Sequence, residues 1–282
     1  MKTLIIGGTS VIGRALEVRL QSLGPVHTAG RVGADITIDL SDPHVVLDLD
    51  EQFDVVVHAA ADFGGDGDED LIRAEMVNTL GSLKACQLAH RTKASQFVFL
   101  STTSSSYVSG DSHYGIYSIS KRHAEELVTY YCSLHGIPYV ILRPTQVVDA
   151  PGACRCHQRF FYMVADFARE NREVMIFGGH DAVRNYLFLD DLVEVVFRAI
   201  ERTAVGIYTC AHPNWVRLSE VIEAAFSANG RAPRIKWMPD KPDIADLPIT
   251  KDDTLYDLIE YVPQVDIGEA MRRIKLMADG GQ

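Results

Sequence analysis

Hydrophobic and polar positions follow two different periods along the first half of the chain. Short apolar runs predict buried strands at 3–6, 26–29, 55–58, 97–100 and 139–142. Helical spacing between these runs predicts helices over 12–22, 71–90 and 118–135. Near-continuous apolar strands that alternate with helices are typical of a parallel sheet covered on both faces. The pattern therefore predicts an α/β fold with a doubly wound parallel sheet.

The pattern loosens after residue 145. Helices are predicted at about 160–170, 219–230 and 267–277, and strands at 174–177, 184–191 and 205–210. Asp190 and Asp191 are candidates to cap a helix that runs to Ile200. We predict two units, one of 1–145 plus about 181–211, and a smaller, discontinuous C-terminal lobe of about 146–180 plus 212–282.

Composition and charge narrow the class of protein. The 282 residues are 47% hydrophobic and can bury a large core. The net charge of −11 is spread along the chain and disfavours nucleic acid or anionic membrane as partners. The first apolar run is too short for a signal peptide or a membrane span, so we predict a cytoplasmic protein. Five cysteines form no framework, which predicts reduced thiols and no metal site.

A glycine-rich loop follows the first predicted strand and opens a helix. Its sequence is Gly7-Gly8-Thr9-Ser10-Val11-Ile12-Gly13. Glycines there allow a tight turn and let backbone N–H groups approach a pyrophosphate at the helix N-terminus. An ordinary strand-to-helix turn would explain one glycine, but not three glycines with two hydroxyls. The loop predicts dinucleotide binding by Gly7, Thr9, Ser10, Val11, Ile12 and Gly13.

The end of the second strand bears on which dinucleotide binds. An NAD-preferring site places an acidic residue there to accept hydrogen bonds from the ribose 2′-OH. This chain has Gly30-Arg31, and arginine suits a 2′-phosphate. We therefore favour NADP and keep NAD as the alternative. Asp39 and Leu40, which close the next predicted strand, are candidates to contact the adenine.

A tyrosine and a lysine lie four residues apart where the helix predicted from 118 begins. Tyr117 and Lys121 are therefore neighbours on one helix face. A nearby cation stabilises phenolate and would lower the tyrosine pKa from about 10 toward neutrality, so that the phenol can exchange a proton while hydride moves. Hydroxyls at Ser101 and Thr102 end the strand before this helix. The order along the chain, with the glycine loop first, then these hydroxyls and then Tyr117 with Lys121, favours a hydride-transfer site.

These motifs resemble the extended short-chain dehydrogenase/reductase family, in the branch of nucleotide-sugar epimerases, dehydratases and reductases. The similarity covers nearly the whole chain. It is carried by the glycine loop (similar to GGxGxIG), His58-Ala59-Ala60 (HxAA), Asn78 with Gly81 (NxxG), Ser101-Thr102, Tyr117 with Lys121 (YxxxK), Arg143-Pro144-Thr145 (RPT), and 184–191 (RDFxHVxD).

The resemblance implies a Rossmann-like dinucleotide-binding domain, a substrate-binding C-terminal lobe and a homodimer. It implies that Tyr117 is the acid/base, that Thr102 hydrogen-bonds the sugar, that Lys121 holds the nicotinamide ribose and that Asn78 orders the site. Further cofactor contacts are implied for Ala59, Ala60 and Pro144. Substrate contacts are implied for Thr102, Thr103, Gln146 and Phe177, and a contact to the nucleotide diphosphate for Arg184.

Three departures from the family pattern affect these expectations. Ser10 replaces the usual middle glycine, but its hydroxyl can donate to the pyrophosphate. The segment 106–110 replaces the usual VYG, which makes Thr103 the alternative to Thr102 as the hydroxyl that bonds the sugar. Gln146 stands where a substrate-contacting Asn often follows RPT.

The residues after Thr102 bear on the reaction. The family's dehydratases have Asp-Glu there and its 3,5-epimerising members have a cysteine, whereas this chain has Thr103-Ser104. Without those residues, the reactions left for this family are the ones that need hydride transfer alone. Because Arg31 favours NADP, which a net reductase consumes, we favour a 4-ketoreductase of a nucleotide-linked 4-keto-6-deoxysugar. The alternatives are a nucleotide-sugar 4-epimerase, a reductase of another ketone or aldehyde, and a catalytically silent dinucleotide sensor.

Overall fold

A computed structural model describes residues 1–46, 49, 51–247 and 249–280. The strands are β1 (Thr3–Ile6), β2 (Val26–Gly30), β3 (Ile36–Thr37), β4 (Val55–His58), β5 (Gln96–Leu100), β6 (Tyr139–Pro144), β7 (Gln146–Val148), β8 (Val174–Phe177), β9 (Val183–Arg184), β10 (Tyr186–Phe188), β11 (Gly206–Cys210), β12 (Val216–Arg217) and β13 (Ile235–Met238). The helices are α1 (Val11–Leu20), α2 (Asp68–Ala74), α3 (Gly81–Arg91), α4 (Ile116–Leu134), α5 (Arg159–Glu170), α6 (Leu189–Glu201), α7 (Leu218–Ala228), α8 (Thr254–Ile259) and α9 (Ile267–Gly280). A π-helical turn, Glu75–Leu80, joins α2 to α3, and a 3₁₀ turn, Thr103–Ser106, follows β5.

The first unit is built on a seven-stranded sheet in which every neighbouring pair is parallel. The strand order is β11-β6-β5-β4-β1-β2-β3. On one face, Leu4 and Phe97 join a core with Ala124 and Val128 of α4. On the other, α1 packs on β1 and β2, and the Arg19 guanidinium lies over the Phe197 ring of α6. Helices therefore cover both faces, and the predicted doubly wound α/β fold is confirmed.

Among its described residues, the second unit has three strand pairs and a group of helices. The parallel pairs are β7 with β10 and β8 with β13, and the antiparallel pair is β9 with β12. Helices α5, α7 and α9 pack against one another. Among the described residues of the chain, no helix is both long and apolar enough to cross a membrane.

The boundaries of the units differ from the predicted ones. The first unit comprises Met1–Pro144, Val193–Cys210 and Thr250–Tyr261; the second comprises Thr145–Leu192, Ala211–Ile249 and Val262–Gln282. Residues 181–192 fall in the second unit because β9 and β10 pair with β12 and β7. Residues 250–261 fall in the first because α8 packs on β11. Both partners are distant in sequence, so local patterning could not indicate them.

Three local predictions also need correction. The helix predicted at 71–90 is interrupted by the π-helical turn. The strand predicted at 184–191 ends at Phe188, and α6 begins at Leu189, so Asp190 and Asp191 lie in its first turn and do not precede it. The Asp191 carboxylate instead accepts hydrogen bonds from the N–H groups of Gln264 and Val265.

Candidate active site

The glycine loop between β1 and α1 is shaped by close backbone approaches. Gly7 has φ +88°, and a Cβ there would lie 2.4 Å from the Ala60 nitrogen. A Cβ on Gly13 would lie 2.2 Å from the Gly7 carbonyl oxygen. Ser10 is exposed and caps α1, since its Oγ accepts a hydrogen bond of 3.0 Å from the Gly13 N–H. The serine that replaces the family's middle glycine therefore has a local role in starting the helix.

The start of α1 fits the pyrophosphate of a dinucleotide. The N–H groups of a helix's first turn have no partner within the helix, and the macrodipole makes this end positive. Ser10 satisfies the N–H of Gly13, which leaves those of Val11 and Ile12 to face an anion. Thr9 lies beside β2, since a Cβ on Gly30 would be 3.1 Å from its Oγ1. The glycine positions are a cradle that side chains would fill, as dinucleotide binding requires.

The residues expected near the adenosine have different surroundings. Arg31 is exposed directly after β2. Hydrogen bonds from the Ser41 hydroxyl and N–H hold the pKa of Asp39 below its usual value, and the charge of Arg31 lowers it further. The Leu40 side chain is buried against Gly81. The strand expected to close at these residues ends earlier, at Thr37, because only Ile36 and Thr37 pair with β2.

Two consecutive turns of α4 carry Tyr117 and Lys121 to the end of β5. The Lys121 ammonium donates a hydrogen bond of 2.8 Å to the Leu100 carbonyl oxygen. The Tyr117 hydroxyl is hydrogen-bonded to the Thr102 side chain. Thr103, the alternative hydroxyl, is buried and donates to the Pro144 carbonyl oxygen at 3.5 Å. The structure thus brings Tyr117, Lys121 and Thr102 together and turns Thr103 toward β6.

The electrostatics of this group differ from the expectation. Burial raises the pKa of Tyr117 above its usual value, and only the hydrogen bond with Thr102 opposes the shift. Burial lowers the pKa of Lys121 to about 7, against an opposing effect of the Glu125 carboxylate. The ammonium is directed to the Leu100 carbonyl and lies 4.7 Å from the Phe99 ring centroid. The expectation that Lys121 brings the tyrosine pKa toward neutrality is therefore wrong for this structure.

Asn78 lies in the π-helical turn and is fully buried. Its side chain accepts a hydrogen bond from the Asp62 N–H (2.8 Å) and donates to the Asp62 carbonyl (2.7 Å) and to Ser120 Oγ (2.9 Å). It thereby ties the loop after β4 to the second turn of α4. The next loop residue, Phe63, stacks on the Tyr117 ring with centroids 4.6 Å apart. Sequence analysis missed Phe63 because one aromatic in a glycine-rich loop gives no periodic pattern.

Asn78→Ala is expected to lower the free energy of unfolding by about 2 kcal/mol, because it removes the hydrogen-bond partner of the buried Ser120 hydroxyl and of two part-buried backbone groups of Asp62. Urea denaturation measures this effect. Asn229→Ala, which removes one hydrogen bond to the Ala225 carbonyl on α7, is the control and is expected to cost less. An Asn78→Ala protein with the wild-type urea midpoint would show that the asparagine does not hold the loop.

The other residues predicted to bind substrate lie in the second unit: Gln146, Phe177 and Arg184. Gln146 Nε2 donates to Gln158 Oε1 at 2.9 Å, and Gln146 Oε1 is buried with no hydrogen-bond partner among the described residues. Phe177 ends β8 with an exposed ring. Arg184 is buried, and its Nη1 donates to the carbonyls of Val183 and Ala245. Their contacts with a substrate stay predictions.

Known proteins resemble this chain in sequence. CDP-abequose synthase of Salmonella typhimurium is 28% identical over 167 residues, which cover 58% of this chain and 54% of that protein. A putative UDP-glucose 4-epimerase of Methanocaldococcus jannaschii is 23% identical over 80% of this chain and 79% of its own length. Human dTDP-D-glucose 4,6-dehydratase is 26% identical over 71% of this chain and 61% of its length. This chain thus spans about half the length of the Salmonella protein.

Solved structures show the same fold. UDP-glucose 4-epimerase from Thermotoga maritima, solved with UDP-glucose, superposes with a TM-score of 0.77 at 18% identity and full coverage of both chains. The Thermus thermophilus UDP-glucose 4-epimerase complex with NAD gives 0.74 at 20% identity, also over both full chains. A family model matches residues 3–211, which contain the glycine loop, Tyr117 and Lys121. The chain therefore belongs to the NAD dependent epimerase/dehydratase family.

Proposed function

We propose that this protein is an NADPH-dependent 4-ketoreductase that acts on a nucleotide-linked 4-keto-6-deoxysugar. The surroundings of Thr102 carry the proposal. The residues that follow it are Thr103 and Ser104, whose hydroxyls are engaged with the Pro144 carbonyl and with Thr102 Oγ1. Neither side chain is an acid or base at neutral pH. We assign proton transfer at this position to Tyr117, and a single acid/base without a second pair after Thr102 suits reduction and does not suit dehydration.

The protonation of Tyr117 fits the direction of the reaction. Its raised pKa keeps the phenol protonated at neutral pH, as a proton donor to a carbonyl oxygen must be. The Thr102 side chain is the hydrogen-bond partner of the phenol. Bound NADPH would supply the hydride. Lys121, held by the Leu100 carbonyl, would present its ammonium to the nicotinamide ribose.

A net reductase consumes NADPH and gains from the cell's reduced NADPH pool, whereas an epimerase recycles its cofactor. The preference for NADPH is therefore part of the proposal, and Arg31 tests it. Arg31→Asp is expected to weaken NADPH binding at least tenfold and to leave NADH binding unchanged or improved, because a carboxylate repels the 2′-phosphate. Fluorescence titration with both cofactors measures this. Lys93→Asp makes the same charge change shortly before the start of β5, at the other end of the parallel strands from Arg31, and is the control. Equal NADPH affinity in the Arg31→Asp and wild-type proteins would exclude the 2′-phosphate contact.

Arg184 tests whether the substrate carries a nucleotide diphosphate. Arg184→Ala is expected to weaken nucleoside diphosphate binding about tenfold without changing cofactor affinity, since a guanidinium binds phosphate oxygens in pairs. Calorimetric titration with UDP, CDP and dTDP measures it. Arg172→Ala, an exposed arginine of the same unit, is the control. Unchanged affinity in Arg184→Ala would favour a reductase of another ketone or aldehyde.

The reaction itself is tested with a panel of nucleotide-linked 4-keto-6-deoxysugars and NADPH. We expect one NADPH to be oxidised for each ketone reduced, followed by cofactor absorbance and product mass. The second candidate is a nucleotide-sugar 4-epimerase, which the alignment with the archaeal putative epimerase over 80% of this chain favours. Epimerisation of an unmodified nucleotide-sugar without net NADPH oxidation would select that candidate.

A further inference from the structure

A third turn of α4 places Glu125 beside the site, where neither the sequence motifs nor the proposed reaction gave it a role. Glu125 is buried and follows Lys121 by four residues on the same helix. Its carboxylate accepts hydrogen bonds from Ser101 Oγ (2.5 Å), from Ser105 Oγ (2.7 Å) and from two nitrogens of Arg143 on β6. These hydrogen bonds hold the carboxylate in one place beside the site.

The contacts of α4 follow the chain as it leaves β5. Lys121 bonds the carbonyl of Leu100, Glu125 bonds the hydroxyl of Ser101, and Tyr117 bonds the side chain of Thr102. Glu125 also accepts a hydrogen bond from Ser105, in the 3₁₀ turn that follows Thr102. The segment that carries Thr102 is therefore fastened on both sides by one carboxylate.

The titratable groups around Lys121 come from three elements. Glu125 and the neutral phenol of Tyr117 lie on α4 with Lys121. Arg143 on β6 forms an ion pair with Glu125 and so acts on Lys121 only by way of that carboxylate. From β4, His58 is buried with its pKa lowered to about 3, so it carries no charge at neutral pH. The Glu125 side chain is 6% exposed and that of Arg143 29% exposed, so solvent screens this pair weakly. Glu125 is the negative charge that favours the Lys121 ammonium.

We propose that Glu125 is a positioning residue for the proposed reaction: its carboxylate, partly neutralised by Arg143, favours the charged form of Lys121 and holds Ser101 and Ser105 on either side of Thr102. This proposal rests on the proposed function in one respect: it assumes that the reaction uses Lys121 in its charged form. It predicts opposite effects at the two ends of the ion pair. Removing the Glu125 charge favours the neutral amine. Removing the Arg143 charge leaves the carboxylate free to favour the ammonium.

The test is the titration of Lys121 itself in the full chain. The protein is labelled with ¹⁵Nζ-lysine, and the Lys121 resonance is assigned by its absence in Lys121→Met. Glu125→Gln is expected to lower the Lys121 pKa by about one unit, and Arg143→Gln to raise it by a similar amount. Glu126→Gln makes the same change at the next residue, which is exposed, and is expected to leave the titration unchanged.

A double variant keeps the test decisive if Glu125→Gln fails to fold because Arg143 loses its partner. Comparing Arg143→Gln with Glu125→Gln/Arg143→Gln isolates the Glu125 charge, and the double variant is expected to have the lower Lys121 pKa. Shifts in the same direction for the two single variants would overturn the proposal. So would a Glu125 effect no larger than that of Glu126→Gln. The titration uses no substrate, so a failed reductase assay would count against the proposed function alone.

Discussion

Tyr117→Phe is expected to reduce turnover between a hundredfold and ten-thousandfold, about what a positioned proton donor contributes. The change removes the hydroxyl that bonds Thr102 and retains the ring that stacks on Phe63. The fold and the glycine loop should therefore be unaffected. Steady-state kinetics with NADPH and the proposed 4-keto sugar substrate measure the loss, and cofactor titration shows whether binding persists.

Tyr114→Phe is the matched control. Tyr114 is exposed in the loop before α4, so losing its hydroxyl should leave turnover within about twofold of wild type. If Tyr117→Phe kept most of the activity, another group would have to donate the proton, and the assignment of Tyr117 would be wrong. If both variants lost activity equally, disturbance of the loop before α4 would explain the effect better than chemistry.

Gly13→Ala is expected to cost about 3 kcal/mol of unfolding free energy, the upper end of what overpacking costs, and to weaken dinucleotide binding at least tenfold. The added Cβ would lie 2.2 Å from the Gly7 carbonyl oxygen and 2.7 Å from Gly8 Cα. Both are backbone atoms of the glycine loop, so α1 must move away from it to relieve the overlap. That movement would carry the N–H groups of Val11 and Ile12 away from a bound pyrophosphate.

Urea denaturation and cofactor fluorescence titration measure the two effects of Gly13→Ala separately. Gly179→Ala is the control, because nothing lies within 4 Å of a Cβ there and its φ is not positive. Wild-type stability in Gly13→Ala would mean that the loop can yield, and wild-type cofactor affinity would mean that the start of α1 does not hold the pyrophosphate.

The sequence predicted the sheet and the grouping of several site residues because those features depend on residues that are close together in the chain. The run 97–100 predicts a buried strand, and β5 is buried throughout. The four-residue spacing of Tyr117 and Lys121 predicts that they share a helix face whatever surrounds it. The glycine loop is equally local, since strand, turn and helix start are contiguous. Roles beyond this proximity came from the family resemblance.

Tertiary structure decided what depends on partners far along the chain. The boundaries of the units follow from strand pairs such as β9 with β12. Glu125 gives no distinctive pattern in the sequence, and its role appears only because Ser101 and Arg143 meet it. The pKa directions of Tyr117 and Lys121 were set by burial, which a four-residue spacing does not encode. Periodicity specifies which residues face the core, whereas the charges and hydrogen bonds they meet there depend on how distant segments come together.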